Sequence, residues 1–249
     1  TFQNGREVRV RESPNLISGL GTTGLRTWEA SLYLADYLMR PDVLASIDAD
    51  VLELGCGTGM VSISMLKNRA FHSGKLFITD GDSQLMERVN DNIKLNIDTS
   101  ASITGNPNYE IRKLWWGEDY IPDSVHTVLA ADVTYDASII PDLINVFNEG
   151  MSQGHVSTAL VAATKRNEDT LAVWERWLDM GKSDGIWTWS ITSVFRPDKC
   201  DITIPDVLNA NISTLFYGPA PSEIFIYRLD RVSSGASNVA ENTFREPPQ

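Results

Sequence analysis

The sequence predicts an α/β fold: a doubly wound, mostly parallel sheet that ends in an antiparallel strand pair. Three observations carry that prediction. Short apolar and β-branched runs alternate with helix-period segments from residue 51 to residue 180, which is the rhythm of βαβ units. The first run empties into a glycine-rich turn, and the last two strand-like runs, 187–195 and 223–229, follow one another without a helix between them. An N-terminal β-hairpin is expected ahead of the sheet, because Asn4-Gly5 is a hairpin-turn dipeptide and residues 7–11 (E-V-R-V-R) alternate strictly.

Residues 19–24 read as a Gly/Thr-rich loop, after which Thr27 can cap a helix over 28–39 with Ala30, Leu34 and Leu38 on one face. Pro41 stops that helix. Strands are expected at 51–54, 75–79, 109–114, 125–131 and 158–163, with helices at 60–67, 83–96, 141–150 and 170–180. In the last helix Leu171, Trp174 and Leu178 are spaced for a core face. Residues 101–109 are polar, with Gly105 and Pro107, and read as an exposed loop. The expected organisation is a hairpin and loop over 1–24, one domain over 25–232, and a Ser-, Asn- and Pro-rich disordered tail over 233–249.

Length and a 42% hydrophobic content allow one sizeable core. A net charge of −12 sets an unfavourable field against nucleic acid and favours basic or neutral partners. Cys56 and Cys200 offer no disulfide framework, which fits a reducing, cytoplasmic setting, and no apolar run has the length of a membrane span. The chain opens at Thr1 without a methionine or a leader pattern, as a trimmed start would, and a monomer is expected. His72, His126 and His155 show no metal-ligand spacing, so no metal is expected.

The chemistry gathers at predicted strand ends. Residues 51–59 read V-L-E-L-G-C-G-T-G, so Glu53 precedes a loop in which Gly55, Gly57 and Gly59 let backbone approach a ligand with positive φ. The spacing is G-x-G-x-G, not the G-x-G-x-x-G of dinucleotide sites, and Glu53 stands where a ligand amine or hydroxyl would meet it. Asp80 ends the second strand about 20 residues beyond the loop, the distance at which an acidic side chain accepts ribose hydroxyls. Trp116 follows the third strand and offers a flat apolar face. Asp132 and Tyr135 follow the fourth as D-x-x-Y: a carboxylate can orient an aliphatic ammonium, and a phenol beside it can supply a cation–π face or a hydroxyl contact.

The glycine loop with Asp80 resembles the S-adenosylmethionine signature of seven-strand, Rossmann-like methyltransferases. Together with G-T-T-G-L-R-T-W-E-A-S-L-Y-L-A at 21–35, A-A-D-V-T-Y at 130–135 and K-R-N-E-D-T at 165–170, the chain resembles the D-x-x-Y lysine methyltransferases, and within them the branch that acts on eukaryotic elongation factor 2. Members of that branch carry a longer N-terminal region. The resemblance implies S-adenosylmethionine as cofactor, a protein lysine as acceptor and elongation factor 2 as partner. It places cofactor contacts at Trp28, Gly55, Cys56, Gly57, Asp80, Trp116 and Ala131, and the acceptor at Asp132 and Tyr135. The competing readings are a methyltransferase-like binding scaffold and a nicotinamide oxidoreductase; the intact loop, Asp80 and D-x-x-Y weigh against the first, the glycine spacing against the second.

Overall fold

The computed structural model describes residues 7–13, 23–47, 49–68, 74–97, 108–196 and 222–233. Seven strands form one sheet: β1 (Asp50–Leu54), β2 (Leu76–Asp80), β3 (Tyr109–Lys113), β4 (Val125–Ala131), β5 (Thr158–Thr164), β6 (Trp187–Phe195) and β7 (Ile224–Arg231). Their order is β3-β2-β1-β4-β5-β7-β6, with the first five parallel and β7 antiparallel to both β5 and β6. The helices are α1 (Glu29–Leu38), α2 (Pro41–Leu44), α3 (Met60–Lys67), α4 (Ser83–Asn96), α5 (Ile140–Ser152) and α6 (Glu168–Ser183). The chain leaves β1 toward β2 on one side and returns to β4 on the other, which opens a crevice above the strand ends at that switch point.

Side chains along a strand point alternately to opposite faces, and here both faces are buried. Leu52, Leu54, Val128, Ala130 and Tyr227 pack under α5 and α6, whereas Val51, Leu129, Leu160 and Ile226 pack under α1, α3 and α4. That double burial is why the strands read as continuous apolar runs rather than as alternating ones.

The helices and strands predicted from residue 28 onward all form, with small shifts at their ends. Two local expectations are corrected. Thr27 does not cap α1: its hydroxyl meets the Thr58 hydroxyl at 2.8 Å, and Trp28 is the capping position without a side-chain cap of its own. Pro41 does more than end a helix, since it holds Arg40 extended and then opens the short α2 as its first residue.

Of the expected N-terminal hairpin, residues 1–6 lie outside the described residues, and residues 7–13 form no strand. Their alternation still has a structural cause. Val8 and Val10 pack against the core, while the backbone of Arg9 and Arg11 bonds to the side-chain amides of Asn96 and Asn92, one helical turn apart on α4. Each amide both donates and accepts, as a neighbouring strand would. The loop at 19–22, the segment 98–107, Cys200 and the tail beyond 233 lie outside the described residues, as does His72.

Gly181, near the end of α6, lies against Trp187: a Cβ there would stand 2.0 Å from the indole, which is fully buried and donates to the Leu178 carbonyl. Alanine would add up to about 1 kcal/mol of helix propensity, but overpacking a rigid core costs about 1–3 kcal/mol. Gly181→Ala is therefore expected to lower stability in urea unfolding, and a midpoint equal to or above that of the parent would refute the close packing.

Candidate active site

The glycine loop is built by its backbone. Gly55, Gly57 and Gly59 take φ values of +62°, +52° and +82°, which side chains with a Cβ rarely adopt. At Gly55 space is short as well, since a Cβ there would meet Val133 at 2.9 Å, whereas one on Gly57 would meet the Gly24 carbonyl at an ordinary contact distance of 3.4 Å. The loop thus lies open to a cavity of about 300 Å³ above the ends of β1 to β4. Gly55, Gly57, Asp80, Gly81, Trp115, Trp116 and Ala131 to Val133 line it, with Tyr135 at one end and Thr23, Gly24 and Trp28 arching over from the segment before α1.

Asp80 belongs to both loop and cavity. One carboxylate oxygen accepts from Gly57 N–H at 3.1 Å and the other from Asp82 N–H at 3.2 Å. Burial pushes its carboxyl up, and these backbone donors pull it back. A carboxylate offers about four acceptor positions, so two remain for hydroxyls entering the cavity. Trp115, half exposed, covers Gly81, whose missing Cβ would lie 2.7 Å from the ring.

Asp132 sits at the opposite end with φ +56°, a left-handed conformation uncommon outside glycine. That turn sends its carboxylate across the top of the sheet. One oxygen accepts from Thr164 N–H at 3.2 Å, at the end of β5. The other accepts from Arg166 at 2.7 Å and from Ala30 N–H, in the first turn of α1, at 3.4 Å. The cap that the sequence assigns to Thr27 therefore comes from Asp132, far along the chain. Burial pushes the Asp132 carboxyl up, with the Arg166 guanidinium as the main opposing influence. Tyr135 is about half exposed at the cavity wall.

Three of the predicted cofactor residues are not in the wall. Glu53 points beneath the loop to α3, where it accepts from both the backbone N–H and the hydroxyl of Ser62. It is buried, its carboxyl is pushed up to about 8 by that burial, and it acts as a cap for α3. Cys56 is packed in the core, its thiol pushed well up by burial, and holds the loop through its backbone N–H to the Thr79 carbonyl at 2.9 Å. Gly59 caps α3, with its missing Cβ facing Val89 and Ile63. In return the structure adds Trp115, Val133 and Asp142 to the wall, and Arg166 behind it. Arg166 follows the fifth strand, so the strand-end logic that points to the other residues also leads to it. Among the described residues no cluster of three or more His, Cys, Asp or Glu is placed to hold a metal.

A doubly wound sheet with a glycine loop, an acidic second-strand end and an aromatic-lined crevice defines a nucleoside-cofactor enzyme of the seven-strand methyltransferase fold. The chain belongs to the lysine methyltransferase family, whose profile matches residues 16–195. It is 36% identical over 186 residues to the protein-lysine N-methyltransferase EFM3 of Saccharomyces cerevisiae, covering 70% of this chain and 54% of that protein. With the human protein-lysine N-methyltransferase EEF2KMT it shares 32% over 184 residues, covering 67% of this chain and 53% of that one. The chain thus spans about half the length of these relatives. In fold it is similar to the methyltransferase domain of a bacterial Hen1 protein, with a TM-score of 0.54 and 14% identity over 82% of this chain and all of that one.

The family implies S-adenosylmethionine, and the wall suits it: backbone bared by glycine, a carboxylate with free acceptor positions, and indole faces. Asp80→Ala is expected to weaken its binding by about 1.5–3 kcal/mol, as loss of hydrogen bonds to a charged group does. Calorimetric titration reads this, and unchanged affinity would remove Asp80 from the cofactor site.

Glu53 makes a pH-dependent contribution. Its folded pKa of about 8 lies above the ordinary carboxylate value, so between the two the folded chain holds a proton that the unfolded chain has lost. Stability from this group is full below the unfolded pKa and falls as pH rises toward the folded one. Glu53→Gln has no proton to lose, so its melting temperature relative to the parent is expected to be higher near pH 8 than near pH 5; a difference independent of pH would show that Glu53 is ionised in the fold.

Proposed function

We propose that this chain carries the catalytic domain of an S-adenosylmethionine-dependent protein-lysine N-methyltransferase whose acceptor is a lysine of elongation factor 2. The observation that carries it is that one crevice is lined by Asp80 and the glycine loop toward one end and by Asp132 and Tyr135 toward the other, which supports a reading with donor and acceptor side by side. The relatives' names, protein-lysine N-methyltransferase, support the acceptor chemistry. The choice of factor rests on the resemblance carried by residues 21–35, 130–135 and 165–170.

The cofactor supplies a methyl group on a cationic sulfur; the amine nitrogen forms the new C–N bond while the C–S electron pair returns to sulfur. The chain's own task is alignment, and holding amine and methyl in line is worth about 7–11 kcal/mol of barrier. A lysine ammonium must first release its proton, here to water, because the Asp132 carboxylate is already engaged by Arg166, Thr164 and Ala30. Asp132 and Tyr135 accordingly orient the amine, and Trp28, Trp116 and Ala131 enclose the donor side. The acidic surface steers a basic region of a protein toward the crevice, acts against direct nucleic-acid binding, and suits a cytoplasmic enzyme working as a monomer.

Mass spectrometry of elongation factor 2 from cells lacking the protein tests the acceptor. One lysine is expected to lose its methyl groups, and an unchanged methylation pattern would assign the activity to another protein.

A further inference from the structure

Arg166 does not itself line the crevice, yet its guanidinium joins three residues beside it. It lies 2.7 Å from the inward oxygen of Asp132, 3.3 Å from one oxygen of Glu29, and 4.7 Å from the centre of the Trp28 indole. Arg26 completes the group, 3.2 Å from the other Glu29 oxygen and 4.8 Å from the same indole. Two guanidinium groups and two carboxylates thus hold Trp28 and Asp132 in one formally neutral frame.

The balance of charge around Asp132 gives Arg166 a chemical role besides bracing. Asp132 is in contact with Arg166 and, through it, Glu29; the other ionisable groups facing the cavity are Tyr135, Asp142, Asp80 and Asp82. All of those except Arg166 are acids, and among the described residues Arg166 is the one cation paired with Asp132. An acidic wall of this kind, left uncompensated, would hold an entering lysine as its ammonium, which has no lone pair to offer.

Resting on the reading of Asp132 and Tyr135 as the acceptor residues, we propose that Arg166 is a positioning residue that neutralises Asp132, so that the site orients the acceptor amine without stabilising its protonated form. The same contact opposes the upward push of burial on the Asp132 carboxyl, and the stacked guanidinium keeps Trp28 and α1 in register with it. Arg166 itself need not touch substrate or cofactor.

Two measurements test this, one of which needs no turnover. In the isolated chain, the Asp132 carboxyl followed by carbon-13 NMR is expected to titrate about one pH unit or more higher in Arg166→Gln, the size of an Arg–Asp interaction, and close to the parent position in Arg166→Lys. With S-adenosylmethionine and elongation factor 2, the pH of half-maximal kcat is expected to move up by a similar amount in Arg166→Gln, so that kcat is lowered about tenfold at neutral pH and recovers as pH rises. Arg166→Lys is expected to keep the parent profile. An Asp132 titration that does not move in Arg166→Gln, or a lysine variant that titrates like the glutamine one, would overturn the assignment. Should Arg166→Gln fail to fold, the lysine variant decides by itself, since loss of the parent titration with the charge retained has the same consequence. Asp132→Asn separates the underlying reading: full activity with an unshifted profile removes Asp132 from the acceptor site, whereas loss of activity there with an unmoved Arg166→Gln titration removes only Arg166.

Discussion

The turn from β1 into α3 depends on two buried carboxyl groups that capture backbone N–H groups from below and from beside. Glu53 takes the Ser62 N–H and hydroxyl, and Asp80 takes the N–H of Gly57. A helix start leaves its first N–H groups without partners in the helix, and acceptors that meet them fix where the helix begins. With α3 set by Glu53, and Cys56 tied to β2 through Thr79, the three glycines have one path available, and that path leaves their backbone facing the crevice. The cavity floor is thus a consequence of burying acids at the ends of neighbouring strands, a costly placement made tolerable by the donors they receive.

The other side of the crevice repeats the device with longer reach. Asp132, left-handed at the end of β4, ties β5 and the first turn of α1 to its own strand through one carboxylate. α1 is the element that carries Trp28 to the rim, and the residues before it bring Thr23 and Gly24 over the glycine loop. The two ends of the cavity are therefore not independent: the roof that faces Gly57 is held by a helix whose start is bonded to Asp132. Arg166 and Arg26 reinforce that link by pairing with Glu29 and stacking against Trp28. A stacked guanidinium presents a flat, weakly hydrated face that an ammonium lacks, which suits a position between an indole and two carboxylates.

The antiparallel edge has a different role. Trp174 meets Phe147 and Tyr227 edge-on, at 6.3 and 6.0 Å between ring centres, and Tyr227 donates to Glu175 on α6. This aromatic cluster fastens α5 and α6 to β7 and holds β5 from its outer side. Because Thr164 ends β5 and Arg166 lies two residues beyond it, rigidity at that edge reaches Asp132 through covalent connection.

By itself the sequence determined the succession of strands and helices, the glycine loop, and the alignment of Asp80, Trp116, Asp132 and Tyr135 at strand ends. These follow from periodicity and from backbone requirements that are local to the chain. The fate of Glu53 was not legible, because both faces of β1 are buried and alternation cannot say whether a polar side chain meets a ligand or a helix start. Nor could spacing show that Asp132 caps α1 in place of Thr27, or that two asparagines of α4 stand in for a hairpin partner at residues 7–13. The pairing of Arg166 with Asp132 was likewise decided only when β4 and β5 became neighbours. The last three are hydrogen bonds between groups distant in sequence, and which donor satisfies a buried acceptor is settled by packing, since local chemistry leaves several donors equally eligible.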